Sequence, residues 1–163
     1  MRLKSANAVI PYIDQVDREG GDPNGKPLNG ATTWKLRPLT VSMEGAITDD
    51  MVDLGRTTFK PTNNGETAEA DVKMTVSASK MKINRVRLGI VGWEGLYVDA
   101  EGADAEDADA FTELPFTLET VVVGGQEFKG APGAVIDMLD KHLLDRIDRK
   151  IKELSGVQPG MGN

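Results

Sequence analysis

The stretch PGAVIDMLDKHLLDRIDRKIKELSG, Pro132 to Gly156, decides the fold reading. Ile136, Leu139, Leu143, Ile147, Ile151 and Leu154 recur at spacings of three and four, which lays them along one face of a helix. Pro132 stands where a first-turn proline belongs, because the N–H it lacks is one that a helix start leaves unpaired anyway. Ser155-Gly156 supplies the stop. Asp137/Lys141, Asp145/Arg149 and Asp148/Lys152 form acid-first pairs four residues apart on the other faces. Such a stripe is ordinarily core, packed on a sheet, and becomes an interaction surface only where the rest of the domain leaves it uncovered.

Upstream lie the candidate strands. Phe116 to Val123, then Gly124-Gly125, then Gln126-Glu127-Phe128 predicts a hairpin with a two-glycine turn. Arg85 to Val91 alternates as a strand does and ends at Gly92-Trp93-Glu94-Gly95, after which Leu96-Tyr97-Val98 leads into an acidic loop at 99–113. Thr67 to Ile83 reads two ways. Val72, Val76 and Ile83 suit a helix, whereas Val72-Lys73-Met74-Thr75-Val76 alternates; the helix is the preferred reading. Ser42, Glu44, Ile47, Met51 and Leu54 predict a short helix stopped by Gly55. Trp34 to Leu39 predicts a strand with Trp34, Leu36 and Leu39 inward, and Ala8 to Ile13 a strand that Pro11 confines to a sheet edge. Between them, residues 17–33 are rich in Gly, Asn, Asp and Pro and predict a long loop or an extended arm. The fold class that follows is α+β: a small, mostly antiparallel sheet with a long C-terminal helix packed on it. Residues 1–156 make one domain and residues 157–163 a flexible tail.

Bulk numbers agree with one domain: 163 residues can bury a core without staples. There are no cysteines, which excludes disulfides, thiolate metal sites and cysteine nucleophiles. A net charge of −7 disfavours nonspecific contact with nucleic acid or anionic lipid. No apolar run reaches the roughly 18–20 residues of a membrane span. The basic start, Met1 to Asn7, is not followed by the apolar core of a signal peptide, so the chain is expected to be soluble and to stay where it is made.

Catalytic constellations are missing from the pattern. Asp99, Glu101, Asp104, Glu106, Asp107, Asp109 and Glu113 crowd seven carboxylates into fifteen residues, yet the spacing is not that of a calcium loop, and a solvated acidic loop is the preferred reading. Gly89, Gly92 and Gly95 recur every third residue, which is neither a dinucleotide nor a phosphate-loop signature, and they are read as permitting a sharp turn around Trp93. The only histidine, His142, falls on the charged side of the last helix and leaves no partner for a His-based metal site or triad. From Val72 to Trp93 there is no acidic residue, while Lys73, Lys80, Lys82, Arg85 and Arg87 are basic. With no aromatic but Trp93 to stack bases, that run is expected to meet acidic groups of this chain or of a protein partner. No catalytic residue, metal or cofactor is expected.

Three segments, in this order, resemble the small tail-assembly proteins of tailed bacteriophages: Trp34-Lys35-Leu36-Arg37-Pro38-Leu39-Thr40; Val86-Arg87-Leu88-Gly89-Ile90-Val91-Gly92-Trp93-Glu94-Gly95, with Asp99 and Gly102 after it; and the helix end Ile151-Lys152-Glu153-Leu154-Ser155. Together they cover about a third of the chain. The loop at 18–30 and the hairpin from Val121 to Phe128 are departures from that group. The resemblance implies a non-enzymatic, chaperone-like morphogenesis protein. It would act in the host cytoplasm on other phage structural proteins, with self-association as a further option, and without direct nucleic-acid or membrane contact. A permanent virion component of the neck, tail or capsid surface shares the same features, and a small hydrolase or carbohydrate-binding domain is the alternative from another class. On the assembly reading the expected contact residues are Trp93, Ile147, Ile151 and Leu154, together with the loop at 17–33.

Overall fold

The computed structural model describes residues 8–58, 66–99 and 111–156. The protein is α+β. Strand β1 (Ile10–Ile13), strand β2 (Thr33–Leu36), helix α1 (Val41–Thr58), helix α2 (Glu66–Gly89) and strand β3 (Ile90–Glu94) come first. Strands β4 (Tyr97–Asp99), β5 (Phe111–Glu113), β6 (Glu119–Val123) and β7 (Gln126–Gly130) follow, then helices α3 (Gly133–Met138) and α4 (Lys141–Leu154). The strands form three small antiparallel sheets: β1-β2-β3, the ribbon β4-β5 and the hairpin β6-β7. Most of the acidic loop, residues 100–110, and the tail, residues 157–163, lie outside the described residues.

Strand β1 sits at a sheet edge, where its Pro11 removes no ladder donor from a central position. In the central strand β2 the alternation is realised side chain by side chain, with Trp34 and Leu36 buried and Thr33 and Lys35 half-buried. Residues 15–21 form two short 3-10 turns, and the Arg18 guanidinium draws the segment together by donating to the Ile13 and Gly25 carbonyls at 3.3 and 2.8 Å. The stretch is thus a folded loop and not an extended arm.

Three expectations are corrected. First, α1 runs through Gly55 to Thr58; an interior helical glycine costs only about 1 kcal/mol, which does not by itself end a helix. Second, Arg85 to Gly89 are the last turn of α2, and only Ile90 onward is strand. That turn is enclosed on most sides, with Asn84, Arg85, Val86 and Leu88 buried and Arg87 half-buried. An element buried on most sides loses the one-sided pattern that would distinguish helix from strand. Third, the C-terminal helix is two helices. Leu139 is extended, at φ −73° and ψ 136°, and the Asp140 carboxylate caps α4 by accepting from the His142 and Leu143 N–H groups at 2.8 and 3.0 Å. The apolar spacing continues across this break, which is why periodicity alone hides it.

One apolar core joins these parts. Ile147, Ile151 and Leu154 of α4 are buried with Val86 and Leu88 of α2, Ile90 and Trp93 of β3, Trp34 and Leu36 of β2, and Val121 and Val123 of β6. The hairpin β6-β7 closes through Gly124 and Gly125 at φ 55° and 73°, a pair of left-handed positions that glycine adopts without strain. Gly124 also lies so close to α1 that an added Cβ would fall 2.4 Å from the Ala46 carbonyl oxygen. Among the described residues no helix is long and apolar enough to cross a membrane.

Candidate interaction surface

The four expected contact residues are inside the fold. Trp93 is 5% exposed, Ile147 and Ile151 are fully buried, and Leu154 is 7% exposed. They are covered because α2 lies directly against α4: a Cβ on Gly89 would fall within 2.3 Å of the Ile151 Cδ1. Trp93 stands edge-on to Trp34 and to Phe116, with ring centroids 6.0 and 4.6 Å away, and its indole N–H donates to the Leu114 carbonyl at 2.7 Å. The turn after it does need a glycine, since Gly95 sits at φ 67°. Trp93 therefore anchors the base of the β4-β5 ribbon from inside the fold.

The three segments that carry the phage resemblance meet at one place. Trp34 pairs with Trp93, and Leu36 with Ile90, across β2 and β3. The Arg37 N–H donates to the Gly89 carbonyl at 2.8 Å, and the Arg37 guanidinium donates to the Leu88 and Lys129 carbonyls at 2.8 and 2.7 Å. The Leu39 N–H donates to the Ser155 hydroxyl at 2.9 Å, which in turn donates to the Ile151 carbonyl at 2.8 Å. Carbonyls of a last helical turn have no intrahelical donor and carry the negative end of the helix dipole. Arg37 thus serves as a side-chain cap for α2. Burial lowers its pKa from the ordinary arginine value.

From Lys80 onward the basic run of α2 is taken up within the chain by helices and strands, while the side chain of Lys73 lies outside the described ones. Lys80 pairs with Asp50 at 2.8 Å, Lys82 with Asp145, and Arg85 with Asp148 at 2.9 Å, while Arg87 reaches Glu119 at 3.4 Å. Asp145 pairs across to α2 in this way. Asp148 keeps its helical partner Lys152 at 2.7 Å. Glu44 Oε1 and Arg85 Nε lie 3.6 Å apart, attracted but too far for a hydrogen bond, and among the described residues both atoms are buried without a hydrogen-bond partner. Asp14, fully buried, holds Arg146 at 2.7 Å and accepts the Val16 N–H. It fastens the start of the chain to α4, a contact 132 residues apart in sequence that local spacing cannot announce. Burial and the nearby Asp14 raise the Asp17 pKa; burial, then Asp14, raises that of Tyr12. Among the described residues no group of three His, Asp or Glu side chains could hold a metal ion.

Two features stand out on the surface of the described residues. Beside β1 lies an open groove of about 370 Å³, lined by Pro11, Tyr12, Ile13 and Pro23 with Arg18 and Lys150 among its polar groups. On the other sheet, register pairs Tyr97 with Glu113 and Asp99 with Phe111, so Tyr97 and Phe111 lie diagonally on one face of the β4-β5 ribbon. They are 50% and 54% exposed. No protein-family model matches this chain, and comparison with curated proteins and with solved structures also finds no match.

Proposed function

We propose that this chain is a bacteriophage morphogenesis protein that performs no chemistry and acts through protein–protein contacts in tail or head–tail assembly, in the host cytoplasm. The observation that carries the reading is the meeting of the three resembling segments. Trp34 with Trp93, Arg37 with Leu88 and Gly89, and Leu39 with Ser155 make them one structural unit. Three short matches scattered over a surface would be weak, whereas three that require one another physically point to a shared fold. The titratable groups support a non-catalytic role, because Arg85, Asp148, Asp14, Arg146, Lys82 and Asp145 are engaged in ion pairs between elements. The ribbon face that carries Tyr97 and Phe111 and the groove beside β1 are surfaces open to contact.

The test is a null allele in the virus that encodes the chain. Electron microscopy should find heads without joined tails, and mass spectrometry of purified wild-type particles should find the chain absent. Intact, infectious particles from the null allele would refute the reading. Recovery of the chain at fixed copy number in purified particles would instead support a permanent virion component.

A further inference from the structure

We propose that Asn29 is a site of spontaneous backbone modification, where the Gly30 nitrogen closes an imide ring on the Asn29 side chain and hydrolysis leaves isoaspartate and aspartate. The inference stands apart from the assembly reading. It starts from a repeated dipeptide: Asn-Gly occurs at Asn24-Gly25, Asn29-Gly30 and Asn64-Gly65, the last outside the described residues. In an unfolded chain the three are chemically alike, because a following glycine has no side chain to hinder attack by its nitrogen. Folding separates the first two.

Asn24-Gly25 is held shut. The Gly25 N–H donates to the Asp22 carbonyl at 2.8 Å, so the nitrogen that would attack is engaged. The Gly25 carbonyl accepts from the Arg18 guanidinium at 2.8 Å, and the Asn24 N–H donates to the Asp22 carboxylate at 2.9 Å. Gly25 is half-buried, and an added Cβ would fall 2.6 Å from the Glu19 carbonyl oxygen. Its peptide has neither a spare N–H nor room to rotate. Asn29-Gly30 is the opposite case. Both residues are exposed, and a Cβ added to Gly30 would meet nothing within 4 Å. Among the described residues the Gly30 N–H has no acceptor and the Asn29 carbonyl no donor. The turn is closed by the Ala31 N–H donating to the Leu28 carbonyl at 3.1 Å, a bond to which the Asn29–Gly30 peptide contributes nothing. Gly30 sits at φ 81° and tolerates either sign of φ, so the rotation that brings its nitrogen to Asn29 Cγ is open.

In the reaction the Gly30 nitrogen gives its proton to water or hydroxide and bonds to Asn29 Cγ. The Cγ–Nδ2 bond breaks, and Nδ2 takes a proton from solvent and leaves as ammonia. Water then opens the imide at either carbonyl. Opening at Cγ gives aspartate on an unchanged backbone; opening at the main-chain carbon reroutes the backbone through Cβ and Cγ as isoaspartate. Either product adds one negative charge to a chain at −7. The longer backbone of isoaspartate is confined to a turn that contributes no residue to the core, so the product keeps the fold.

Peptide mapping by mass spectrometry, with fragmentation that separates isoaspartate from aspartate, tests this on the full chain incubated in mildly alkaline buffer. In the folded chain Asn29 should convert at least about tenfold faster than Asn24, because the hydrogen bonds at Gly25 must open before a ring can close there. In guanidinium chloride the two rates should become alike. Arg18→Ala releases the Gly25 carbonyl and should speed conversion at Asn24 without slowing Asn29. Asn29→Gln, whose longer side chain must close a larger ring, should stay intact and melt as wild type does. Folded-state conversion of Asn24 as fast as that of Asn29 overturns the proposal. So does an Asn29 that converts only in guanidinium chloride, or in neither condition.

Discussion

Gly89→Ala tests the packing at the centre of the fold. In most helices this change stabilises, because alanine is favoured over glycine by about 0.5–1 kcal/mol. Here the new methyl would sit 2.3 Å from Ile151 Cδ1, 2.7 Å from Cγ1 and 3.0 Å from Cγ2. Carbon atoms in contact prefer about 3.5–4.0 Å. Ile151 is fully buried, so its side chain has no open space to swing into. Overpacking of this kind costs about 1–3 kcal/mol, which exceeds the helical gain and leaves a net loss of roughly 0.5–2 kcal/mol. The partner change gives the internal check. Ile151→Ala alone should cost about 2–5 kcal/mol through the cavity it opens. In that background the Gly89 methyl enters vacated space, so the double variant should be no less stable than Ile151→Ala alone. Equilibrium unfolding in urea, followed by fluorescence of the buried Trp34 and Trp93, reads all four proteins on one scale. Gly89→Ala at least as stable as wild type would refute the close approach of α2 and α4.

Two further predictions concern charge. Asp148→Ala should cost about 3–5 kcal/mol by stranding the buried Arg85, whereas replacing both by apolar residues, Arg85→Met with Asp148→Leu, should recover most of that loss in the same urea assay. Asp140→Ala should cost about 0.5–2 kcal/mol, the usual worth of a helix N-cap. The Leu143 N–H bond chiefly, with help from that of His142, lowers the Asp140 pKa below its ordinary 3.8. A depressed folded pKa means that the contribution is present above the unfolded value and is lost as pH falls through the folded one. Asp140→Asn, which caps without a charge, should therefore lose the part of the acid destabilisation that wild type shows below about pH 3.8; an unchanged acid limb in a pH series of melting curves would contradict the assignment.

Elements whose signal is local were legible in the sequence. The Gly124-Gly125 turn, the inward Trp34 and Leu36, the edge position that Pro11 imposes and the helical reading of residues 67–83 all appear in the structure. The break at Leu139–Asp140 was written there too, in an aspartate two and three residues before free N–H groups, but the apolar spacing that crosses it carries the louder signal. Arg85 to Gly89 misled for the opposite reason. Their enclosure comes from α1, α4 and β7, elements far away in sequence, and a short apolar run reads the same as helix or strand. The candidate site was least legible. The apolar stripe of α4 is visible at a glance, yet whether a stripe is covered depends on the rest of the fold, and here it is covered completely at Ile147 and Ile151. Phe111 and Tyr97 are one pair among many until the β4-β5 register puts them on the same face.

The same geometry changes what the phage resemblance means. Leu36, Arg37 and Leu39 attracted notice as a motif, and each has a structural duty: Leu36 fills the core, Arg37 closes the C-terminus of α2, and Leu39 meets Ser155. Each is used within the fold. A motif made of such residues is accounted for by folding alone, and it leaves the contact surface unspecified. The groove beside β1 is lined in part from residues 11–24, and Tyr97 and Phe111 stand on the ribbon, all outside the three segments; of the ribbon strands only Asp99 belongs to them. On the assembly reading, exchanging the three segments for those of a small phage tail-assembly protein should preserve folding and association with partners together, as read by unfolding and by complementation of the null allele. Exchanging residues 11–24 or the ribbon instead should preserve folding and abolish association. A segment exchange that folds but no longer associates would show that the scaffold itself makes the contact, and the division between fold and surface drawn from Arg37 and Phe111 would be wrong.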